Sequence, residues 1–280
     1  MKTTIPEELK RDLPPTKWGK ILSATPVVMT VVATLLAGLA SSEMTRAQYD
    51  RALGAQLQSK AGDQWSYFQA KKLRGAMQRN SLELLQATAE VNLISQPAFD
   101  KVVEPAALQF DPKVEAALHA VDKQKPETEV TSLLSSVADA ALAAALQTAK
   151  DNVVAFDTAT APALQALAQL EKALTPGDKA GTRDLTATRM RYNGARYEVE
   201  ARLNQNIANL YELQVRRANM AAERHHRRSG KFFLGMLAAQ AAVIISTFAM
   251  AAQKRSFLWT VAAVAGVTAI VFAIYVYLQV

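Results

Sequence analysis

FFLGMLAAQAAVIISTFAMAAQKRSFLWTVAAVAGVTAIVFAIYVYL, residues 232–278, decides the architecture. Residues 232–252 and 257–278 hold no Asp, Glu, Lys, Arg or His, and only Gln253-Lys254-Arg255-Ser256 separates them. Roughly twenty residues at ~1.5 Å each match a hydrocarbon core of ~30 Å. Backbone polar groups must be paired internally at that depth, so each run reads as a transmembrane helix and the two as a tight hairpin. Trp259, Tyr275 and Tyr277 lie near the ends of the last run, where amphipathic rings prefer the headgroup level.

A third apolar run, ILSATPVVMTVVATLLAGLA at residues 21–40, follows a basic segment, 1–20, that carries Lys2, Lys10, Arg11, Lys17 and Lys20. Pro26 falls in its first two turns, where a missing amide hydrogen costs least. Gly38-Leu39-Ala40 resembles a signal-peptide cleavage site, but the run is longer than a usual signal core. It reads as an uncleaved anchor, the first of three spans.

Between the first and second spans, prolines punctuate. Residues 44–96 are proline-free to Ser95, with Leu53, Leu57, Ala61, Trp65 and Phe68 at three- and four-residue steps, which is helical periodicity. Pro97, Pro105, Pro112 and Pro126 then divide the segment 97–181 into short pieces, with Ala-rich helices expected at 128–155 and 161–174. Thr175-Pro176-Gly177-Asp178 is a turn, because proline fixes one dihedral and glycine frees the next. From 182 to 231 no proline recurs, and Tyr192, Val199, Leu203, Ile207, Leu210 and Leu213 mark one face. Two proline-free stretches of about fifty residues would each extend about 75 Å as helices. The expected fold is an all-α membrane protein: three transmembrane helices, an extramembrane antiparallel helical stalk (44–96 with 182–231), and a helical head (97–181) at its far end. The second stalk helix would run unbroken into the membrane.

Composition excludes more than it assigns. The 280 residues carry a net charge of +7, but the bases gather beside apolar runs, at Arg224, Arg227, Arg228 and Lys231 before the second span and at Lys254 and Arg255 in the hairpin. That pattern belongs to a membrane surface rather than to nucleic acid, for which interleaved aromatics are missing. The absence of cysteine removes disulfides, thiolate nucleophiles and cysteine-held metals. His225 and His226 are adjacent, so their side chains point about 100° apart, whereas helical chelation wants a spacing of three or four. Gly177-Asp178-Lys179-Ala180-Gly181-Thr182 lacks the lysine–hydroxyl pair of a phosphate loop, and no strand precedes it. No catalytic constellation, metal set or cofactor site emerges, and the expectation is a non-enzyme without cofactors.

Within the spans the polar exception is Gln240, an amide that seeks an interhelical partner in lipid. Ala238, Ala242 and Ser246 share a small-residue face of the second span, and Ala265, Ala269 and Ala273 share one on the third, as close helix packing requires.

The most distinctive stretch is Asp63-Gln64-Trp65-Ser66-Tyr67-Phe68-Gln69-Ala70-Lys71-Lys72. Trp65, Phe68 and Lys72 share a helical face, the spacing of a cation–π cluster packed on the returning helix. Burial of Trp65 is expected against Val199, Leu203 and Leu210. Asp63, Gln64, Trp65, Tyr67, Phe68, Gln69, Ala70 and Lys71 resemble the D-Q-W-x-Y-[YF]-Q-A-K signature of a bacterial family of uncharacterised three-span membrane proteins. The resemblance covers residues 20–80 and 185–278, and 97–181 looks unlike the family. It implies topology and no chemistry.

Charge gives opposite votes on sidedness. The basic N-terminal segment and the hairpin bases favour export of the domain, and the bases before the second span oppose it. The reading places the protein in the bacterial inner membrane with an exported domain. The function expected is a membrane-anchored scaffold that self-associates as a homo-oligomer or organises other membrane proteins. The alternative is an accessory or pore-supporting subunit of a channel, transporter or larger complex.

Overall fold

The computed structural model describes residues 17–106, 109–251 and 257–279. Every regular element among them is a helix: α1 (Lys17–Thr88), α2 (Pro112–Asp122), α3 (Glu127–Ser135), α4 (Asp139–Ala173), α5 (Lys179–Ala251) and α6 (Phe257–Gln279). The hairpin bases Lys254 and Arg255 lie outside the described residues.

Helix α1 joins the run 21–40 to the stretch that begins at 44, as far as Thr88, in one element of 72 residues. Ser41-Ser42-Glu43 contains neither proline nor glycine, so nothing breaks the helix there. Pro26 sits inside it. The helix ends at Thr88, earlier than its proline-free stretch allows, because the following chain finds other partners. The Asn92 amide donates to Asp184 Oδ1 at 3.1 Å and the Ile94 amide to Thr188 Oγ1 at 2.9 Å. Helix α5 runs 73 residues. Its interior glycines cost only ~1 kcal/mol each, too little to interrupt a packed helix.

The chain divides into two compact units, Met1–Ala52 with Asn219–Val280, and Leu53–Ala218. The first contains the start of α1, the end of α5, and α6. Its core has a small-residue cluster, Ala33 of α1 with Ala239 of α5 and Ala269 of α6, and a bulkier one of Leu36, Ala40 and Phe232. A Cβ on Gly266 would stand 2.7 Å from Met29 Sδ, and one on Gly235 would stand 3.3 Å from Leu36 Cδ1, so all three helices approach closely. Two helices carry windows long and apolar enough to cross a bilayer, within Ala24–Thr88 (mean hydropathy 1.8) and Lys179–Phe248 (1.6). Only 28% of each window is buried inside the chain, which leaves most of that apolar surface facing outward.

The second unit joins the remainder of α1 and α5 to α2–α4. Residues 65, 72 and 75 of α1 meet 212, 198 and 194 of α5, so numbers rise along one as they fall along the other. Segment 97–181, expected as a separate head, instead lays a third helix along α5. Asp139 of α4 meets Arg217, Lys150 lies over Tyr211, Phe156 packs on Val199 and Leu203, and Glu171 meets Arg189. The physical reason is the apolar face of α5. Tyr192, Val199, Leu203, Ile207, Leu210 and Leu213 are all buried, more surface than α1 alone covers. Pro162 does not divide α4, which continues through it for 35 residues. Phe99 and Val102, from the irregular chain before α2, fill the seam between α4 and α5.

Candidate functional site

The signature stretch of α1 is a set of clamps onto α5. Trp65 donates its indole Nε1–H to Glu212 Oε1 at 2.7 Å. Its ring meets Phe68 edge-on, with centroids 5.4 Å apart and planes at 84°. Lys71 pairs with the buried Glu200, whose other oxygen lies 3.4 Å from Arg196 Nη1. Two cations thus offset the cost of burying that carboxylate. Lys71 Nζ and Arg196 Cζ stand 5.3 and 5.0 Å from the Tyr197 ring centroid. The cation–π partner of the signature is therefore Tyr197 with Lys71, not Trp65 with Lys72. Lys72 Nζ donates instead to Glu198 Oε1 at 2.8 Å, and that hydrogen bond holds the Glu198 carboxyl below the usual carboxylate range against a smaller opposing effect of burial.

Trp65 is half-buried, and the place expected for it on Val199 and Leu203 is taken by Phe156. It lines a polar groove of about 360 Å³ with Asp122, Lys125, Gln205, Asn209 and Arg216 among its neighbours. Arg216 bridges Glu127 (3.1 Å) and Glu212 (3.3 Å), so the charges along the groove compensate one another. Asp63, Tyr67 and Gln69 are exposed, while Gln64 keeps a buried Oε1 without a hydrogen-bond partner.

In the other unit the histidine pair separates by role. His225 Nδ1 lies 2.6 Å from Glu43 Oε2, and its Nε2 lies 3.8 Å from Asp50 Oδ2; His226 is exposed. The two carboxylates face opposite ring nitrogens, so they cannot converge on one ion. Among the described residues no His, Cys, Asp and Glu group is suited to a metal. The basic reading of 224–231 missed this contact. Its signal lay in Glu43 and Asp50, acids seven apart on one helical face just past an apolar run.

Within the apolar windows, Ala242 and Ser246 are buried and Ala238 is half-buried. The face they share thus packs inside the chain, together with Ala269. Gln240 is exposed and has no hydrogen-bond partner among the described residues. It lines an outward-open groove of about 440 Å³ with Thr30, Ala33, Thr34, Ala37, Val243 and Ile244. Thr30 and Thr34 satisfy their hydroxyls on their own helix, on the carbonyls of Pro26 and Thr30.

Together these features define an all-helical protein with two or three helices long and apolar enough to span a bilayer, in which polar pairs clamp α1 to α5. The chain belongs to the family described as a domain of unknown function, DUF4337, which matches residues 18–165. That match takes in most of 97–181, the segment set apart by the signature resemblance, and ends before the last two apolar runs. No curated protein and no solved structure matches the chain.

Proposed function

We propose that the protein is a membrane-anchored helical scaffold that spans the bilayer three times, through α1, α5 and α6, and self-associates there. The bent pair α3–α4 is apolar enough to mimic a span, but Glu127, Asp139 and Glu171 engage arginines of α5, which suits an aqueous setting. The antiparallel α1–α5 contact with α4 alongside serves as the stalk, on the exported side, and presents no catalytic group.

The observation that carries self-association is the groove around Gln240. An amide in hydrocarbon without a partner is costly, and a groove edged by Thr30, Ala33, Thr34 and Ala37 admits a second helix closely. A second copy of the chain supplies the matching amide. The same groove favours the accessory reading, in which several copies would face Gln240 toward a shared polar path. Mass measurement of the intact protein in mild detergent tests the proposal: Gln240→Leu should shift the population toward monomer. A monomer at every concentration for the parent chain overturns it, and a discrete larger ring with ion flux in vesicles moves the reading to the pore-supporting role.

A further inference from the structure

We propose that Arg224, Arg228 and Lys231 form a binding site for the phosphate of an anionic lipid headgroup, bordered by Tyr275. The inference rests on the membrane reading above. The three bases stand four and three residues apart, hence on one side of α5. Lys231 Nζ lies 5.8 Å from the Tyr275 ring centroid, which brings α6 to the same place.

Pairing separates these bases from their neighbours. Arg216 is taken by Glu127 and Glu212, Arg217 by Asp139, and Arg227 by Glu223 at 2.8 Å. The acids nearest the cluster are occupied as well. Glu223 holds Arg227, and Glu43 holds His225 and Arg46. Asp50 faces the far nitrogen of His225. Arg224, Arg228 and Lys231 meet no carboxylate among the described residues, and Arg228 keeps a buried Nε without a hydrogen-bond partner.

Their depth suits a headgroup. Arg228 stands about 6 Å and Arg224 about 12 Å along the helix axis from Phe232, where the apolar run begins. The headgroup layer is roughly 5–8 Å deep on each face, within reach of side chains this long. Guanidinium forks fit phosphate oxygens bidentately, and a lysine adds a point charge beside them.

The test uses the intact protein in non-ionic detergent, with phosphatidylglycerol and phosphatidylcholine as probes and lipid retention counted by native mass spectrometry. Phosphatidylglycerol should be retained preferentially. Changing Arg224, Arg228 and Lys231 together to Gln should weaken that retention by about a hundredfold, on the order of fivefold per charge. Arg227→Gln, which removes a paired charge of the same sign, should change it little.

Equal loss in Arg227→Gln would mean diffuse charge and would overturn the site, as would equal retention of both lipids. Displacement of phosphatidylglycerol by millimolar inorganic phosphate would assign the site to a soluble phosphate and overturn the lipid source. Flotation separates the two levels of the argument. A chain that floats with phosphatidylcholine vesicles yet shows no lipid preference loses only the site; a chain that does not float loses the membrane reading and the site with it.

Discussion

Trp65 and Glu212 meet through one charge-assisted hydrogen bond, indole Nε1 to carboxylate Oε1 at 2.7 Å, across 147 residues of chain. Hydrogen bonds to charged groups are worth about 1.5–3 kcal/mol, and Glu212 retains Arg216 when the indole is removed. Trp65→Phe should therefore lower stability toward the small end of that range. Because the ring is only half-buried, Trp65→Ala should fall short of the ~3–5 kcal/mol typical of a buried Trp. Ser66→Ala, which removes only an exposed bond to the Gly62 carbonyl, should be near neutral. Thermal unfolding in detergent measures all three, and a Trp65→Phe chain that melts like the parent would deny the bond any role in stability.

Gly75 of α1 and Gly194 of α5 lie against each other in the second unit. A Cβ on Gly75 would stand 3.5 Å from the Gly194 carbonyl oxygen and 3.5 Å from Tyr197 Cβ, ordinary contact distances. Gly75→Ala should thus fit and raise stability by up to ~1 kcal/mol through helix propensity. Gly75→Leu has no room and should destabilise. Equal melting of the Ala and Leu variants would show that the helices separate freely there.

Sequence showed the helical class plainly, because apolar runs and three- and four-residue steps are strong one-dimensional signals. The α5 face from Tyr192 to Leu213 could be read off directly, and all six of its positions are buried. What covers that face could not. The Ala-rich sequence reads as two helices, 128–155 and 161–174, yet α4 runs unbroken from Asp139 to Ala173 and through Pro162, since a long packed interface outweighs one missing hydrogen bond. Trp65 drew attention as the largest apolar side chain of its stretch, but its polar edge decided its place beside Glu212. Pairings such as Glu43 with His225 join residues 182 apart in the chain, and no local pattern encodes them. In the first unit, small residues signalled close packing, while the partner of each face depended on the third helix.

The Lys72–Glu198 pair gives a pH dependence with a fixed sign. Its hydrogen bond keeps Glu198 ionised to lower pH in the folded chain than in the unfolded one. The contribution is complete above the unfolded carboxyl value of about 4.3 and is lost as pH falls through the lowered folded value. Arg79 Nη1, 3.5 Å away, adds a weaker attraction. Since both partners are substantially solvated, the whole effect should be on the order of 0.5 kcal/mol. Glu198→Gln should narrow the stability difference between pH 6 and pH 3 by about that amount. An unchanged difference would show that the pair is fully screened by solvent.

Ala239 and Ala269 are fully buried with Ala33 inside one chain, which separates their role from that of Gln240. Replacing Ala269 with Leu forces a larger side chain between α1, α5 and α6, and overpacking of this kind typically costs ~1–3 kcal/mol. Because the contact lies within the chain, the loss should not depend on protein concentration. Gln240→Leu acts on an outward-open groove, so its effect on melting should be largest when the protein is concentrated in detergent and should fade on dilution. Val271→Leu on the exposed side of α6 serves as the control and should be neutral. Thermal unfolding at several protein-to-detergent ratios distinguishes these cases. Should the Ala269→Leu defect vanish on dilution, the small-residue faces would be contacts between chains, and the buried Ala33–Ala239–Ala269 cluster would be wrong.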